Sequence, residues 1–434
     1  MRRAPGRPRQ AVVVGAGLVG LCTAWFLQEQ GLEVTVLERT AVAAGASLDN
    51  AGWITPALVA PLPDPAILRE GLRAIAGRSP AVRVPLSPDP ALLTFLCRFT
   101  RNCTPGRRDA AQAALTMLSG HALRSFDALA AAGAAAATIA GQPVLAAYRS
   151  PAQRAPMLAE LTEYARQPGG GVDFDVLDGP AVQRAEPILA GAARAAVRIH
   201  GQRYLDPGPF VHALADSIRR RGGTIREGTA VTGLRDDGAG VTITSSPGET
   251  GPGEADGVGE AGGEVRCDCV VLATGAWLGA LARRAGVRVR VQSGRGYSFS
   301  VPMRQLPAGP VYLPAQRLAC TPMPGGRLRV AGVMELRPPQ APLDPARITA
   351  MAAGMRGLLT GADTDLRTQE WVGARPCTPD GLPVIGATRS PRIFAAGGHG
   401  MWGITLGPAT GQLLARAIAT GTMPAELAPF DPLR

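Results

Sequence analysis

A chain of 434 residues, 46% hydrophobic and 18% charged, is long enough for two globular cores and too apolar for a disordered chain. Its formal charge of +11 comes from arginine alone, because the sequence contains no lysine, and the arginines are scattered, which reads as a compositional bias and argues against a nucleic-acid groove. Seven irregularly spaced cysteines argue against a disulfide framework, four histidines (His121, His200, His212, His399) against a metal centre, and the alanine-rich run at 128–140 is too short to span a bilayer.

Residues 1–9 are basic and lack an apolar core or cleavage site, so they read as a disordered tail and not as a signal peptide. The expected location is the cytoplasm, with an arginine-rich surface compatible with peripheral contact at the inner membrane. A strand at 11–14 follows, then the turn Gly15-Ala16-Gly17-Leu18-Val19-Gly20, a helix to Gln30, and a second strand from Val34 to Glu38. Each glycine has its own task in such a unit. Gly15 makes the tight turn, Gly17 lets the main chain approach a pyrophosphate, and Gly20 lets the helix lie close to the strand. The helix start offers free N–H groups to phosphate, and Glu38 ends the second strand where a carboxylate can accept from a ribose diol. Val14, the six turn residues, Glu38 and Arg39 are therefore candidate dinucleotide contacts. Taken alone, the pattern fits FAD and NAD equally.

The loop leaving Glu38 is rich in small and amide residues. Ser47 and Asn50 offer hydrogen bonds, and Ala51, Gly52 and Trp53 suit close approach to a flat ring; a plain connection is the alternative. From 59 to 195 the chain is proline-punctuated and reads as helical, with long helices at 110–137 and 151–167. Asp206-Pro207-Gly208-Pro209 starts a helix at 210–221. Strands are expected at 224–226, 230–234 and 241–245, and Val231 is a further candidate contact. The Gly/Glu-rich residues 247–263 read as a flexible insertion in this meander. The apolar strand 269–273 ends in Thr274-Gly275-Ala276-Trp277 and returns the chain to the nucleotide unit, adding Thr274, Gly275 and Trp277 as candidates. Strands at 288–301 and 327–334, with 311–312 between them, and a helix at 348–359 make a second unit. A strand at 392–396, a glycine-rich turn and a helix at 412–420 close the chain.

Gly398-His399-Gly400-Met401-Trp402-Gly403 repeats the GxGxxG spacing, yet too few residues follow for a second nucleotide fold. With Ile404 and Thr405, this turn supplies a helix N-terminus aimed at an electron-rich group, as the N1–C2=O edge of a flavin becomes on reduction. One full fingerprint and one truncated turn favour FAD over a pair of nicotinamide sites. Gly398, Gly400, Met401, Trp402, Gly403, Ile404 and Thr405 are the expected contacts.

These motifs, in this order, resemble the FAD-dependent amine and amino-acid oxidoreductases of the DAO family, and within it the D-amino-acid dehydrogenase type. The resemblance is carried by residues 15–20 with Glu38, Ser47-x-x-Asn50-Ala51-Gly52-x-Ile54, and Gly294-Arg295-Gly296-Tyr297-Ser298. Arg375-Pro-x-Thr-Pro-Asp380-Gly-x-Pro and Gly398-His399-Gly-x-x-Gly403-x-Thr405 complete it, and it departs at 247–263 and around 210–221. It implies an α/β fold: a glutathione-reductase-type Rossmann FAD-binding domain interleaved with an antiparallel-sheet-plus-helices substrate domain. The implied boundaries are 10–58, 196–287 and 368–434 for the FAD domain, and 59–195 and 288–367 for the substrate domain or cap.

The resemblance further implies that Arg375 clamps a substrate carboxylate, which a bidentate guanidinium suits. A salt bridge to Glu370 or Asp380 is the alternative. Tyr297 would add a second donor or pack in the sheet, and His399 would meet the ring or cap the helix. The position where relatives tether flavin through cysteine corresponds to Gly373, so FAD is expected to be held non-covalently, and Cys377 is not the anchor. The implied reaction moves hydride from Cα of an amino acid, with a D-amino acid expected, to flavin N5, and the imino acid hydrolyses to a 2-oxo acid and ammonia. A secondary amine or imino acid (sarcosine, proline or hydroxyproline type), or an amino-acid-like biosynthetic intermediate, is the alternative substrate. No metal or nucleic-acid partner is expected, and the electron acceptor (quinone, carrier or O2) is not legible.

Overall fold

The run Ala11-Val-Val-Val14 needs apolar cover on both faces, as a central strand of a parallel sheet does. In the computed structural model, which describes residues 7–68, 82–85, 88–135, 138–248 and 262–434, strand Gln10–Val14 lies parallel to Glu33–Leu37 and to Cys269–Leu272. Thr224–Arg226 and Ile393–Gly397 extend the sheet, and Val384–Ala387 closes one edge antiparallel, giving six strands. Ala11 and Val13 join the core under helix Leu18–Glu29, while Val12 and Val14 join the core of the three-stranded meander that starts at Thr229. The first helix crosses the last, Gly403–Thr420, at close range: a Cβ on Gly411 would stand 2.7 Å from the Cys22 carbonyl carbon.

A second sheet has nine strands, in the order Thr368–Cys377, Gln292–Pro302, Arg327–Leu336, Leu318–Met323, Val311–Leu313, Val144–Tyr148, Ala195–Ile199 and Phe174–Asp178, with Val82–Arg83 beside the third. One face buries Tyr297, Phe299, Val301, Leu328 and Val330 against Ile348, Met351 and Met355 of helix Pro345–Met355. The other face looks onto the nucleotide unit.

Several expected elements are corrected. The helix expected at 110–137 is two, Pro105–Ser119 and Ala122–Ala131, because the chain turns at Gly120 and again at Gly133, which has φ +65°; residues 136–137 lie outside the described residues. The region 59–195, read as helical, also supplies Val82–Arg83, Val144–Tyr148 and Phe174–Asp178 to the nine-stranded sheet. Alanine-rich strands such as Val144–Tyr148 carry little β propensity of their own and are set by tertiary packing. Strand Thr368–Cys377, which the expected boundaries gave to the FAD unit, is hydrogen-bonded in the nine-stranded sheet, and so is Ala195–Ile199 across the boundary at 196.

The strand expected at 288–301 is Gln292–Pro302, and the helix expected at 348–359 is Pro345–Met355, started by an Asp344 side chain accepting from Ala346 N–H and ended before Gly357 at φ +75°. The helices expected at 210–221 and 412–420 begin earlier, at Pro207 and Gly403. The insertion expected at 247–263 joins strands Val241–Pro247 and Glu264–Cys267, with 249–261 outside the described residues; so are residues 1–6 of the expected tail, while Arg9 N–H is held by Asp268 at 2.7 Å.

The glycine fingerprint is a steric requirement here. A Cβ at Gly20 would lie 2.0 Å from the Gly15 carbonyl oxygen, and Gly15 itself has φ +111° with the Ala273 oxygen 2.5 Å from its Cβ position. Gly20→Ala should therefore destabilise the fold by about 3 kcal/mol or more, as overpacking against main chain does. A denaturant midpoint shift in the purified variant is the measurement, and an unchanged midpoint would contradict this packing.

Candidate active site

Between the two sheets lies a cavity of about 2090 Å³. One wall carries Val14, Gly15, Gly17, Glu38 and Arg39; the opposite wall carries Trp371, Gly373, Arg375 and Val333; residues 399–404 close one end. The expected contacts Leu18, Val19, Ser47, Asn50, Ala51, Gly52, Trp53, Val231, Thr274, Gly275, Trp277, Gly400, Met401, Trp402, Gly403 and Ile404 line the same space. Ala16, Gly20, Gly398 and Thr405 do not. Ala16 donates its N–H to Glu38 at 2.8 Å, Gly20 packs on Gly15, Gly398 (φ +74°) packs on Thr378, and Thr405 accepts from Thr55 N–H at 3.2 Å.

At the first wall, Glu38 also accepts from Thr40 N–H at 3.0 Å, so its carboxylate is braced at the strand end. Arg39 stacks over the Trp277 ring at 4.5 Å. Ser47 and Asn50 do more within the protein than the sequence suggests. Ser47 Oγ accepts from Leu18 N–H at 3.0 Å, which caps the start of helix Leu18–Glu29, and Asn50 spans its own loop between Ala46 O and Gly52 N–H. The loop is then stapled to the nine-stranded sheet. Ser298 Oγ donates to Asp49 O at 2.6 Å, Thr321 Oγ1 to Ala51 O at 2.8 Å, and Arg329 to the Asp49 carboxylate at 2.7 Å.

At the far end, Gly398 and Gly400 take positive φ, and a short turn Gly400–Trp402 runs into helix Gly403–Thr420. Trp402 is anchored by its indole N–H on Ala60 O at 2.7 Å, while Met401 is exposed. His399 is buried: Nε2 lies 2.9 Å from Thr410 Oγ1, and Nδ1 has no partner among the described residues. Burial pushes its pKa down to about 4, so it is neutral at ordinary pH, and its side chain makes no helix-capping hydrogen bond.

Arg375 lies across Gly296. A Cβ there would be 2.0 Å from Nη2, so the bare glycine is the floor on which the guanidinium rests. Nη1 donates to Val333 O at 2.8 Å, and Nη2 lies 3.5 Å from Gly332 O. No carboxylate pairs with it among the described residues: Glu370 binds Arg367, and Asp380 binds Arg434. Neither Glu370 nor Asp380, the partners of the expected alternative salt bridge, pairs with Arg375. Desolvation by burial lowers the Arg375 pKa, yet an arginine keeps its charge. Val333 has φ +46°, rare for a β-branched residue and costing about 1–3 kcal/mol, and this twist turns its carbonyl toward Arg375.

Tyr297 follows the second of its two expected readings and packs in the sheet: it is fully buried, and its hydroxyl donates to Glu335 Oε2 at 2.7 Å, so that proton is committed within the protein. Burial, then Glu335, push its pKa up to about 12. Sequence reasoning missed Trp371, Val333 and Gly332. The available signal was Gly294-x-Gly296: glycines two apart in a strand clear one face for something to lie on. Trp371 fills the space above Gly373, where a Cβ would be 2.0 Å from its ring, so a thiol at 373 would clash.

Against known proteins, a family model described as FAD dependent oxidoreductase matches residues 10–417. D-amino acid dehydrogenases of Cereibacter sphaeroides and Phenylobacterium zucineum are each 32% identical, covering 94% of this chain and 91% and 93% of theirs. Glycine oxidase from Geobacillus kaustophilus matches the fold with a TM-score of 0.71 at 21% identity over 98% of this chain and 99% of its own. L-proline dehydrogenase from P. horikoshii matches with a TM-score of 0.68 at 16% identity over 99% and 98%. The chain belongs to the DAO family of FAD-dependent oxidoreductases.

The residues fit FAD. Gly15, at φ +111°, and Gly17 line the cavity without side chains, and buried Thr274 Oγ1, Trp277 Nε1 and His399 Nδ1 along it lack partners among the described residues, as groups awaiting a polar ligand do. No helix among the described residues is long and apolar enough to cross a membrane.

His399 carries a pH signature. Its folded pKa lies below the unfolded value of 6.5, so the folded state binds fewer protons. Stability is full above pH 6.5 and falls as pH drops from there toward 4. His399→Asn should flatten this part of the profile by up to about 3 kcal/mol, read from thermal unfolding of the flavin-loaded protein between pH 7 and 4. Parallel wild-type and variant profiles would contradict a neutral buried His399.

Proposed function

We propose that this protein oxidises a D-amino acid to its imino acid, which water converts to the 2-oxo acid and ammonia, with Arg375 as the carboxylate clamp. The observation that carries the reading is Arg375 itself: a charged guanidinium facing the cavity, held by two main-chain carbonyls and paired with no protein carboxylate among the described residues. The names of the 32%-identical relatives support the same substrate class. Bound FAD supplies the acceptor for the two electrons and the Cα hydrogen that leave together as hydride.

The chain's own residues bind and orient. Arg375 takes the carboxylate in two parallel N–H···O bonds, which fixes Cα relative to the ring end of the cavity. The N-terminal turn of helix Gly403–Thr420 sets positive potential at that end, where electron density accumulates. Neutral His399 adds no charge there. No side chain is assigned as base. The amine enters neutral, its lone pair forms the C=N bond as hydride departs, and kcat/KM climbs with pH until the substrate amine is deprotonated. Trp371 occupies the room beside Gly373, in keeping with FAD held without a covalent bond.

Arg375→Leu should lower kcat/KM for the best D-amino acid by about 10- to 150-fold, the loss of a charged hydrogen-bonded pair worth ~1.5–3 kcal/mol. Arg375→Lys should recover only part, because a point charge replaces the fork. A change within threefold for Arg375→Leu would remove the clamp. Anaerobic flavin bleaching with D-, L- and N-methyl amino acids separates the substrate classes, and bleaching by N-methyl or imino acids alone would favour the secondary-amine alternative. Recovery of colour in air, or only with a quinone, then identifies the electron acceptor.

A further inference from the structure

Behind Arg375, on the sheet face turned away from the cavity, lies a buried charged cluster that the proposed chemistry does not touch. Arg295 and Tyr297 come from strand Gln292–Pro302, Glu335 from Arg327–Leu336, and Arg347 from helix Pro345–Met355; all four are at least nine-tenths buried. Glu335 accepts from the Tyr297 hydroxyl at 2.7 Å and faces Arg295 at 3.7 Å and Arg337 at 3.6 Å.

The cluster sits under an irregularity in the sheet. Arg295 pairs with Glu335 and Tyr297 with Gly332, so the single residue Gly296 opposes both Val333 and Met334. This is a β-bulge, a feature that re-aims main-chain groups. Its two carbonyls point to opposite faces. Val333 O accepts from Arg375 on the cavity side, and Met334 O accepts from Arg347 Nη2 at 3.4 Å on the far side. The Tyr297–Glu335 hydrogen bond runs diagonally beneath the bulge, tying a residue on one side of the slip to a residue on the other. Val333, at φ +46°, would leave that conformation if nothing opposed it, and its carbonyl would swing away from Arg375.

We infer that Tyr297, Glu335, Arg295 and Arg347 are positioning residues for carboxylate recognition: they lock the bulge in the conformation whose carbonyls aim Arg375 into the cavity. The inference rests on the reading of Arg375 as the clamp. A buried ionic network is a poor source of stability, and in this sheet its contribution is to hold one conformation of the bulge, which an arginine held by main-chain carbonyls requires. Tyr297 thus acts on the carboxylate through the bulge and not by touching it.

The test uses flavin-loaded Tyr297→Phe and Arg347→Met, with Arg347→Lys as the conservative partner. Tyr297→Phe keeps the ring and leaves Glu335 facing Arg295 and Arg337, so no carboxylate is stranded. KM for the D-amino acid and the dissociation constant of benzoate, read from the flavin absorbance, should each rise about tenfold, the size of one lost hydrogen bond's influence. Across the same variants kcat should change less than twofold, flavin content should stay at wild-type level, and Arg347→Lys should lie between wild type and Arg347→Met.

Unchanged benzoate affinity in flavin-loaded variants overturns the inference. So does a fall in kcat and flavin content without selective loss of benzoate affinity, which is what a merely structural role gives. Arg375→Leu separates the two levels. If it leaves benzoate affinity unchanged, the clamp reading fails; if it weakens benzoate while the other variants do not, the positioning role alone fails.

Discussion

A guanidinium set into a protein cavity without a carboxylate is an incomplete ion pair, and the site is arranged around that incompleteness. Burial penalises the charge of Arg375, yet the arginine is held there by Val333 O and Gly332 O, over the bare face of Gly296. Carbonyl dipoles satisfy part of the guanidinium and leave its remaining donors facing the cavity. A protein carboxylate would have stabilised the charge and closed the site. In the proposed function the missing partner is a ligand carboxylate, which would concentrate binding energy at the point that fixes Cα.

The rest of the site holds Arg375 across the cavity from the nucleotide unit. The nucleotide sheet and the nine-stranded sheet meet across the cavity, and the loop at 47–53 is bonded to both sides. Ser47 caps helix Leu18–Glu29, while Asp49 and Ala51 are held by Ser298, Arg329 and Thr321 of the other sheet. The C-terminal helix, whose start closes one end of the cavity, crosses the first helix closely at Gly411, where a side chain would meet main chain. Glycines at Gly15, Gly20, Gly296 and Gly411 are thus points where two elements share one space.

What could be read in the sequence follows from this. Gly15 and Gly20 are legible because a φ of +111° at the first and a main-chain contact with Gly15 at the second bar a side chain, and the strand and acid that follow lie close in the chain. Arg375 is legible through its frame of prolines and glycine, and through family resemblance. Tyr297 had two open readings, and what decides between them is Glu335, which lies on the neighbouring strand beyond a register slip that no local pattern encodes. The bulge residue Val333 carries a backbone angle its side chain disfavours, so composition points away from it. Ser47 and Asn50 have the right chemistry for a ligand, yet much of it is used inside the protein. The alanine-rich strands Val144–Tyr148 and Ala195–Ile199 look helical in isolation and are strands only because the wide sheet recruits them.

The most direct measurement is the structure of the FAD-loaded, anaerobically reduced protein with a D-amino acid bound. The expected result is both carboxylate oxygens within hydrogen-bond distance of the Arg375 guanidinium, with Val333 O still accepting from Nη1. A carboxylate seated on another cation of the cavity wall, such as Arg39 or Arg317, or Arg375 closed onto a protein carboxylate, would contradict the account.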